Sequence, residues 1–540
     1  MSITKLDVSM RYLFPEKGMK NPPLVEQKEY LVNGEFKQWE GAFNEIYSAV
    51  GNQSGDNEIE RVYLGKIPKT GINEAMECLE SANKAYDNGF GEWPTLSVEK
   101  RIHHVETFIG EMIKLREEVV QLLMWEIGKS LADSEKEFDR TIKYMYDTIE
   151  SLKKLERKSA TFQIEEGIIG QIRRSPLGVT LCIGPYNYPL NETYTLFIPA
   201  LIMGNVVMFK PPKHGALLHY SLSKAIQKCF PKGTVNYVYG KGSEIVEPLM
   251  NTGKINVLTL IGSSKVASDL KKAHPKVNRL RAILGLDAKN PAIVLENADI
   301  DNAVNECVLG SLSFNGQRCT ALKILYVHEN VKDEFIQKFS EKVDHLKLGM
   351  PWTEKVQITP LPEENKINYL NDCLEDAIQK GAKIMNQKGG NHFGSLFHPA
   401  VVYPVSEGMK LFREEQFGPI VPIVSFNDLN DPIEYLISSD HGQQVSIFGS
   451  DSKEISFLID RLINLVSRVN INTQCQRGPD TFPFTGRKDS AEGTLSVYDA
   501  LRSFSIRSVV ATKENKENKE IFNTIVKEDQ SNFLSTNFIF

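Results

Sequence analysis

The sequence predicts an α/β protein whose parallel sheets are covered by helices on both faces. Three observations carry the prediction: short apolar runs alternate with helical patterns from Gly178 onward, most of the runs end at Gly or Pro turns, and a second α/β set runs from Pro291 to about residue 487. Such β-turn-α alternation implies right-handed crossovers and a buried parallel sheet. The composition suits it, since 540 residues with 41% hydrophobic and 24% charged side chains have room for several domains and a large core.

Taken in order, residues 1–28 carry Pro15, Pro22 and Pro23 and read as an N-terminal extension that wraps a neighbour or stays loose. Ala75, Met76, Leu79, Ala82 and Tyr86 recur at helical spacing, which predicts a helix over 73–86 capped by Asn73. A longer helical pattern fills most of 98–155 and is interrupted near Gly128-Lys129-Ser130. Then come a strand at 178–183, a helix at 192–203, a β-rich run at 205–210 ahead of Pro211-Pro212, and a helix from about 216. Strands follow at 234–239 and 255–261, with glycine turns at Gly240-Lys241-Gly242 and Gly262-Ser263-Ser264 that open helices. The second set includes strands at 292–295, 322–327 and 401–403 and a helix at 332–346. After a β-like run at 504–511, the repeat from Lys513 to Glu520 is too polar to bury a core and predicts a solvated or helical tail over 513–540.

A net charge of −6 and a pI near 6.0 exclude electrostatic capture of nucleic acid or an acidic membrane, so an anionic ligand must be held by local cations. The seven cysteines show neither CxxC nor paired spacing, which gives no metal site and no disulfide frame and points to reduced thiols in the cytoplasm. No secretory signal is expected from MSITKLDVSM, and no apolar run reaches the length of a membrane span.

The chemistry concentrates in two segments, Phe314-Asn315-Gly316-Gln317-Arg318-Cys319-Thr320 and Gly184-Pro185-Tyr186-Asn187-Tyr188-Pro189. Cys319 is the candidate nucleophile, with Arg318 beside it as a cation that lowers a thiol pKa. Thiolate attack on an aldehyde makes an alkoxide, for which the Asn187 amide and the Cys319 backbone N–H are the proposed donors. Gly240, Gly242, Gly262 and Ser263 follow strands and open helices, a geometry that offers N–H groups to a pyrophosphate, although neither pair has the full GxGxxG spacing. Lys210 and Lys213, at a strand end, favour the 2′-phosphate of NADP over the free ribose of NAD.

From residue 29 to about 511 the chain resembles the aldehyde dehydrogenase superfamily. The matching segments are Glu126–Lys129, Pro176–Gly178, Gly184–Pro189, Pro199–Asn205, Phe209–Pro211, Gly316–Cys319 and Glu414–Pro419. The resemblance implies an aldehyde dehydrogenase-like architecture: a Rossmann-type cofactor domain (29–154 and 177–287), an α/β catalytic domain (288–487) and a small β oligomerisation arm (155–176 and 488–512) that makes a homo-oligomer. It also implies that Glu415 contacts the nicotinamide ribose, that Phe417 packs near the ring and that Ser263 meets the pyrophosphate. Within the superfamily, Phe209–Pro212, Gln476–Gly478 and Asp480–Phe484 resemble the NADP-dependent, non-phosphorylating glyceraldehyde-3-phosphate dehydrogenases. That likeness puts Arg140, Arg318 and Arg477, with Tyr188, around the phosphate of a small phosphorylated aldehyde, and guanidinium forks suit a dianion.

One position departs from the family pattern. Where the family has a glutamate that activates the hydrolytic water, this chain reads Gly285-Leu286-Asp287-Ala288-Lys289. Three readings are open: Asp287, two residues on, supplies the base; the acyl group leaves to coenzyme A; or the chain has lost turnover and only binds. Retained oxidation is favoured, because the thiol, the asparagine, the cofactor residues and the arginines all remain.

Overall fold

The structure is a computed structural model describing residues 5–55, 58–537 and 539. Residues 1–4 of the N-terminal extension and Phe538 and Phe540 of the C-terminal tail lie outside the described residues, as do Asp56 and Asn57.

A six-stranded sheet runs in the order Val235–Tyr237, Val206–Lys210, Val179–Ile183, Val257–Ile261, Arg281–Gly285, Ala491–Glu492, parallel except for the last strand. Its central strands are short, apolar and nearly wholly buried, as a sheet covered on both faces requires. The chain starts in the middle at Val179–Ile183, steps outward twice, then returns to the other side through Val257–Ile261. That reversal opens a crevice at the carboxyl ends of the strands, where ligands bind in such sheets. Lys210, Gly240, Gly262 and Gly285 all stand at or just beyond those ends. The helix Asn191–Ile202, buried along its whole length, follows the loop that carries Asn187.

The second sheet has seven strands: Lys383–Ile384, Ala400–Tyr403, Ile420–Phe426, Leu322–His328, Asn290–Val294, Gln444–Phe448, Arg468–Ile471. Only the pairing of the first two is antiparallel. Arg281–Gly285 and Asn290–Val294 are consecutive, so residues 286–289 bridge the two sheets. A third, antiparallel sheet joins Phe162–Glu165, Ile168–Pro176 and Ser505–Lys513 and leaves Ile164, Ile168, Ile506 and Val509 exposed.

Several local expectations change. The cap of the helix Ile72–Tyr86 is Gly71, whose N–H donates to the Glu74 carboxylate at 2.8 Å, rather than Asn73. The pattern over 98–155 is three helices, Val98–Ile113, Arg116–Ile127 and Leu131–Ser159. At the second break Gly128 has φ +71°, and a Cβ there would meet the Pro360 carbonyl at 2.2 Å, so only glycine fits. The N-terminal extension wraps: Met10 and Phe14 are buried, and Val25–Glu26 pairs with Gly65 and Lys66. The tail is solvated only in part. Its helix Lys516–Lys527 buries nothing, but Ser535 accepts from and donates to the side-chain amide of buried Gln171, and Arg173 donates to the Phe533 carbonyl. Gln171 needs both amide ends satisfied inside the protein, and the tail satisfies them.

Candidate functional site

The helix Ile300–Leu312 delivers the chain into a tight turn in which Phe314, Asn315 and Gly316 all have positive φ. A Cβ on Gly316 would lie 2.8 Å from the carbonyls of Ser311 and Gly418, so the turn closes only on glycine. Asn315 is pinned by the Thr359 N–H at 2.9 Å. Left-handed non-glycine residues held this firmly are a frequent mark of functional sites. Cys319 follows the turn and is partly exposed, whereas the other six cysteines are buried.

Burial pushes the Cys319 thiol up, Lys323 pulls it down, Glu415 raises it, and a hydrogen bond with Gln443 and the more distant Arg318 lower it. Lys323 is therefore the main cation of the nucleophile. Its ammonium donates to the Cys319 carbonyl at 2.9 Å and pairs with Glu415 at 2.7 Å. Arg318 points its guanidinium elsewhere, to the carbonyls of Leu309 and Gly310, and its effect on the thiol is the smallest of these.

Asn187 reaches the same turn from the other sheet, donating from Nδ2 to the Gln317 carbonyl at 2.9 Å. An amide nitrogen carries two hydrogens, which leaves one for an oxyanion. The loop is fixed from below by Lys129, which is wholly buried, paired with Glu137 and bound to the Asn187 carbonyl at 2.8 Å. The Lys129 ammonium lies 3.6 Å from the centre of the Tyr188 ring and 4.4 Å from that of Phe314. Glu137 in turn accepts the N–H groups of Leu190 and Asn191.

Cys319, Tyr188, Arg140, Arg318, Arg477 and Glu192 share the lining of one cavity of about 410 Å³. All three arginines line this cavity with the thiol, but Arg318 is turned to backbone carbonyls and the carboxylates of Asp480 and Glu192 engage the other two. Arg140 makes a two-pronged bond to Asp480 at 2.9 and 2.7 Å. Arg477 pairs with Glu192 and lies 3.5 Å from Asp480. Burial pulls the Arg477 pKa down to about 10.

On the far side, Lys210, Lys213, Gly240 and Gly242 line a groove of about 940 Å³ together with Arg61 and Lys241. The Lys210 ammonium has only a long 3.4 Å contact with the Pro211 carbonyl, and burial lowers its pKa to about 8. A Cβ on Gly240, which has φ +99°, would lie 2.2 Å from the Thr70 carbonyl. A half-buried cation with no ion-pair partner among the described residues, facing a backbone cradle at a helix start, fits a phosphate-bearing ligand. Gly262 and Ser263 stand at the next strand end and do not line this groove; Ser263 caps the helix Ser264–Ala273. Glu415 lines a neighbouring hollow of about 500 Å³ with Tyr186. Lys213, His214 and Glu364 line both spaces and join them. Phe417, at φ +42°, sets its ring edge-on to Tyr186 at 6.0 Å.

Gly285 ends its strand in a close-packed place: a Cβ would meet the Ile261 side chain at 3.2 Å, tight enough that the isoleucine must give a little, and Leu495 at an ordinary 3.5 Å. Asp287 is not presented as a free base, since its Oδ2 accepts from both the N–H and the hydroxyl of Ser264, at 2.7 and 2.8 Å. Lys323, Lys129, Gln443 and Glu192 do not stand out in the sequence as site residues. Lys129 lies within a matching segment, and a lysine four residues after the nucleophile is a readable hint. Nothing local marks the others.

Residues 56–510 match the aldehyde dehydrogenase family. The chain is 31% identical over 498 residues to an NADP-dependent glyceraldehyde-3-phosphate dehydrogenase of Streptococcus equinus, covering 91% of this chain and 98% of that protein. An Arabidopsis thaliana protein of the same name is 31% identical over 439 residues, covering 80% of this chain and 85% of its own length. The crystal structure of NADP-dependent glyceraldehyde-3-phosphate dehydrogenase from Bacillus halodurans C-125, complexed with NADP, superposes with a TM-score of 0.82 at 28% identity, over 91% of this chain and all of that one. With a thiol and a supporting amide meeting between two α/β sheets, a lysine-lined groove on the far side, and a family match over most of its length, this chain belongs to the aldehyde dehydrogenase family.

Proposed function

We propose that the protein oxidises glyceraldehyde 3-phosphate to 3-phosphoglycerate with NADP, without inorganic phosphate. The observation that carries the reading is the cavity in which Cys319 stands among Arg140, Arg318, Arg477 and Tyr188. A simple aldehyde has no use for three guanidinium groups, whereas a phosphate dianion accepts from all of them. The relatives' names support the same substrate and coenzyme.

Cys319, deprotonated with the help of Lys323, adds to the aldehyde carbon. The free hydrogen of the Asn187 amide and the Cys319 N–H take up the charge on oxygen. NADP, when bound, would supply the hydride acceptor; Lys210, Lys213, Gly240 and Gly242 would hold its phosphates, Gly262 and Ser263 lie at the next helix start, and Glu415 and Phe417 would border its reacting end. The chain then holds a thioester on Cys319, which water releases. Asp287 contributes a negative charge near that step, although to act as the base itself it must leave Ser264. The likenesses do not favour coenzyme A as acyl acceptor or a protein that only binds.

We assign residues 155–176 and 488–512 to the contact of a homo-oligomer, and the unpaired cysteines fit the cytoplasm. Among the described residues no helix is long and apolar enough to cross a membrane. The test is a product assay with glyceraldehyde 3-phosphate and NADP⁺ in phosphate-free buffer. NADPH and 3-phosphoglycerate in equal amounts are expected; product only with coenzyme A, or none, contradicts the proposal.

A further inference from the structure

The missing glutamate leaves the thioester without its usual base, and the residues around Gly285 suggest what acts instead. His441 and Gly442 form a short strand paired with Lys488 and Arg487. The Gly442 N–H donates to the Ser490 hydroxyl at 3.0 Å, and that hydroxyl donates to the Asp287 carbonyl at 2.8 Å. Just beyond Ser490, Ala491 pairs with Gly285. One serine therefore ties the His441 turn to the segment in which the carboxylate is absent.

The same turn runs to the nucleophile. Gln443, two residues beyond His441, hydrogen-bonds with the Cys319 thiol. The Asn290 amide bridges the two segments, donating to the Cys319 carbonyl at 2.8 Å and reaching the Gln443 side chain at 3.4 Å. The chain bends at Gln443, directly after the strand His441–Gly442, so His441 stands two residues from the group that contacts the thiol. The His441 Nδ1 is buried and has no hydrogen-bond partner among the described residues. A buried imidazole nitrogen without a partner is unusual unless water or a substrate completes it.

We propose that His441 is the general base that draws a proton from the water hydrolysing the Cys319 thioester, in the place left by Gly285. This rests on the reading that Cys319 carries an acyl group. As the water oxygen bonds to the acyl carbon, one proton passes to Nδ1. The carbon–sulfur bond then breaks, sulfur leaves as a thiolate beside Lys323, and the imidazolium returns its proton to sulfur or solvent; the released acid ionises. No electrons change hands. Burial lowers the His441 pKa below its ordinary value, so the ring is neutral and basic at neutral pH. Glu415, Asp287 and Asp440 face it as anions that stabilise the imidazolium, and Lys323 opposes them. Lys488, across the pairing, is engaged with the carbonyls of Leu436, Ile437 and Ser439. Asp287, held by Ser264, thus acts through its charge on His441.

The test is the hydrolysis of p-nitrophenyl acetate, which acylates a reactive thiol without aldehyde or nucleotide, so it is decided separately from the substrate reading. His441→Ala should keep a burst of one p-nitrophenolate per chain while the following deacylation slows by about 10²-fold or more, the usual range of general base catalysis. His441→Gln serves if the alanine protein does not fold. Wild-type deacylation should rise through an apparent pKa below 6.5 and level off, and the variant should lose that limb. Adding Gly285→Glu to the His441 variant should restore deacylation. Deacylation at the wild-type rate in both variants, or no burst in the wild type, overturns the proposal.

Discussion

Glu192 is the most informative side chain in the substrate cavity, because it sets a carboxylate against one of the arginines expected to hold phosphate. In Glu192→Gln, Arg477 loses its shorter ion pair but keeps Asp480, 3.5 Å away. At an effective dielectric of about 20, that remaining attraction is at most about 5 kcal/mol, so the guanidinium is not left bare. Removing one partner of a buried pair costs about 3–5 kcal/mol, and Asp480 places the expected loss at the low end, about 3 kcal/mol. The freed guanidinium can instead give the substrate a charge-assisted hydrogen bond worth about 1.5–3 kcal/mol. KM for glyceraldehyde 3-phosphate should fall by about ten- to a hundredfold, since about 1.4 kcal/mol is a factor of ten. The assay compares KM for glyceraldehyde 3-phosphate with that for unphosphorylated glyceraldehyde, alongside denaturant unfolding. A KM that stays put or rises for the phosphorylated substrate, with the expected loss of stability, refutes the reasoning.

Lys323→Met should slow alkylation of Cys319 by iodoacetamide at neutral pH by about tenfold or more and move its pH profile to the alkaline side, because the main cation lowering the thiol is lost while Glu415 still raises it; an unchanged profile contradicts this. NADP affinity should fall as pH rises through about 8, where free Lys210 loses its proton, and Lys210→Met should bind weakly without that pH step; calorimetric titration from well below to well above that pH decides it. Lys129→Met leaves Glu137 buried and uncompensated, so stability should drop by about 3–5 kcal/mol in denaturant unfolding, and acylation of Cys319 should slow as Asn187 loses its support.

Much of the fold was legible in the sequence because strands buried on both faces are short apolar runs closed by glycine or proline, as at 178–183 and 257–261. The boundaries shifted where capping rather than periodicity decides them: Gly71 starts a helix through the reach of Glu74, which apolar spacing does not encode. The docking of the tail was not legible, because Ser535 depends on one buried amide, Gln171, 364 residues away. In the site, Cys319 and Asn187 were readable because unusual turns surround them. Which cation serves the thiol was not, since Arg318 is nearest in sequence and Lys323 is nearest in effect. Likewise the three arginines could be counted, but not the carboxylates of Glu192 and Asp480 that partly neutralise them. His441 stood outside any motif and draws notice only once strand pairing sets its turn against Lys488 and Ser490 links that turn to Asp287.

The most direct measurement mixes the protein with glyceraldehyde 3-phosphate and NADP⁺, quenches it in acid within the first turnover, and maps the digest by mass spectrometry. The peptide containing Cys319 should carry the mass of the 3-phosphoglyceroyl group, in proportion to the NADPH formed. NADPH formation with that peptide unmodified, or with the acyl group on another residue, would contradict the account.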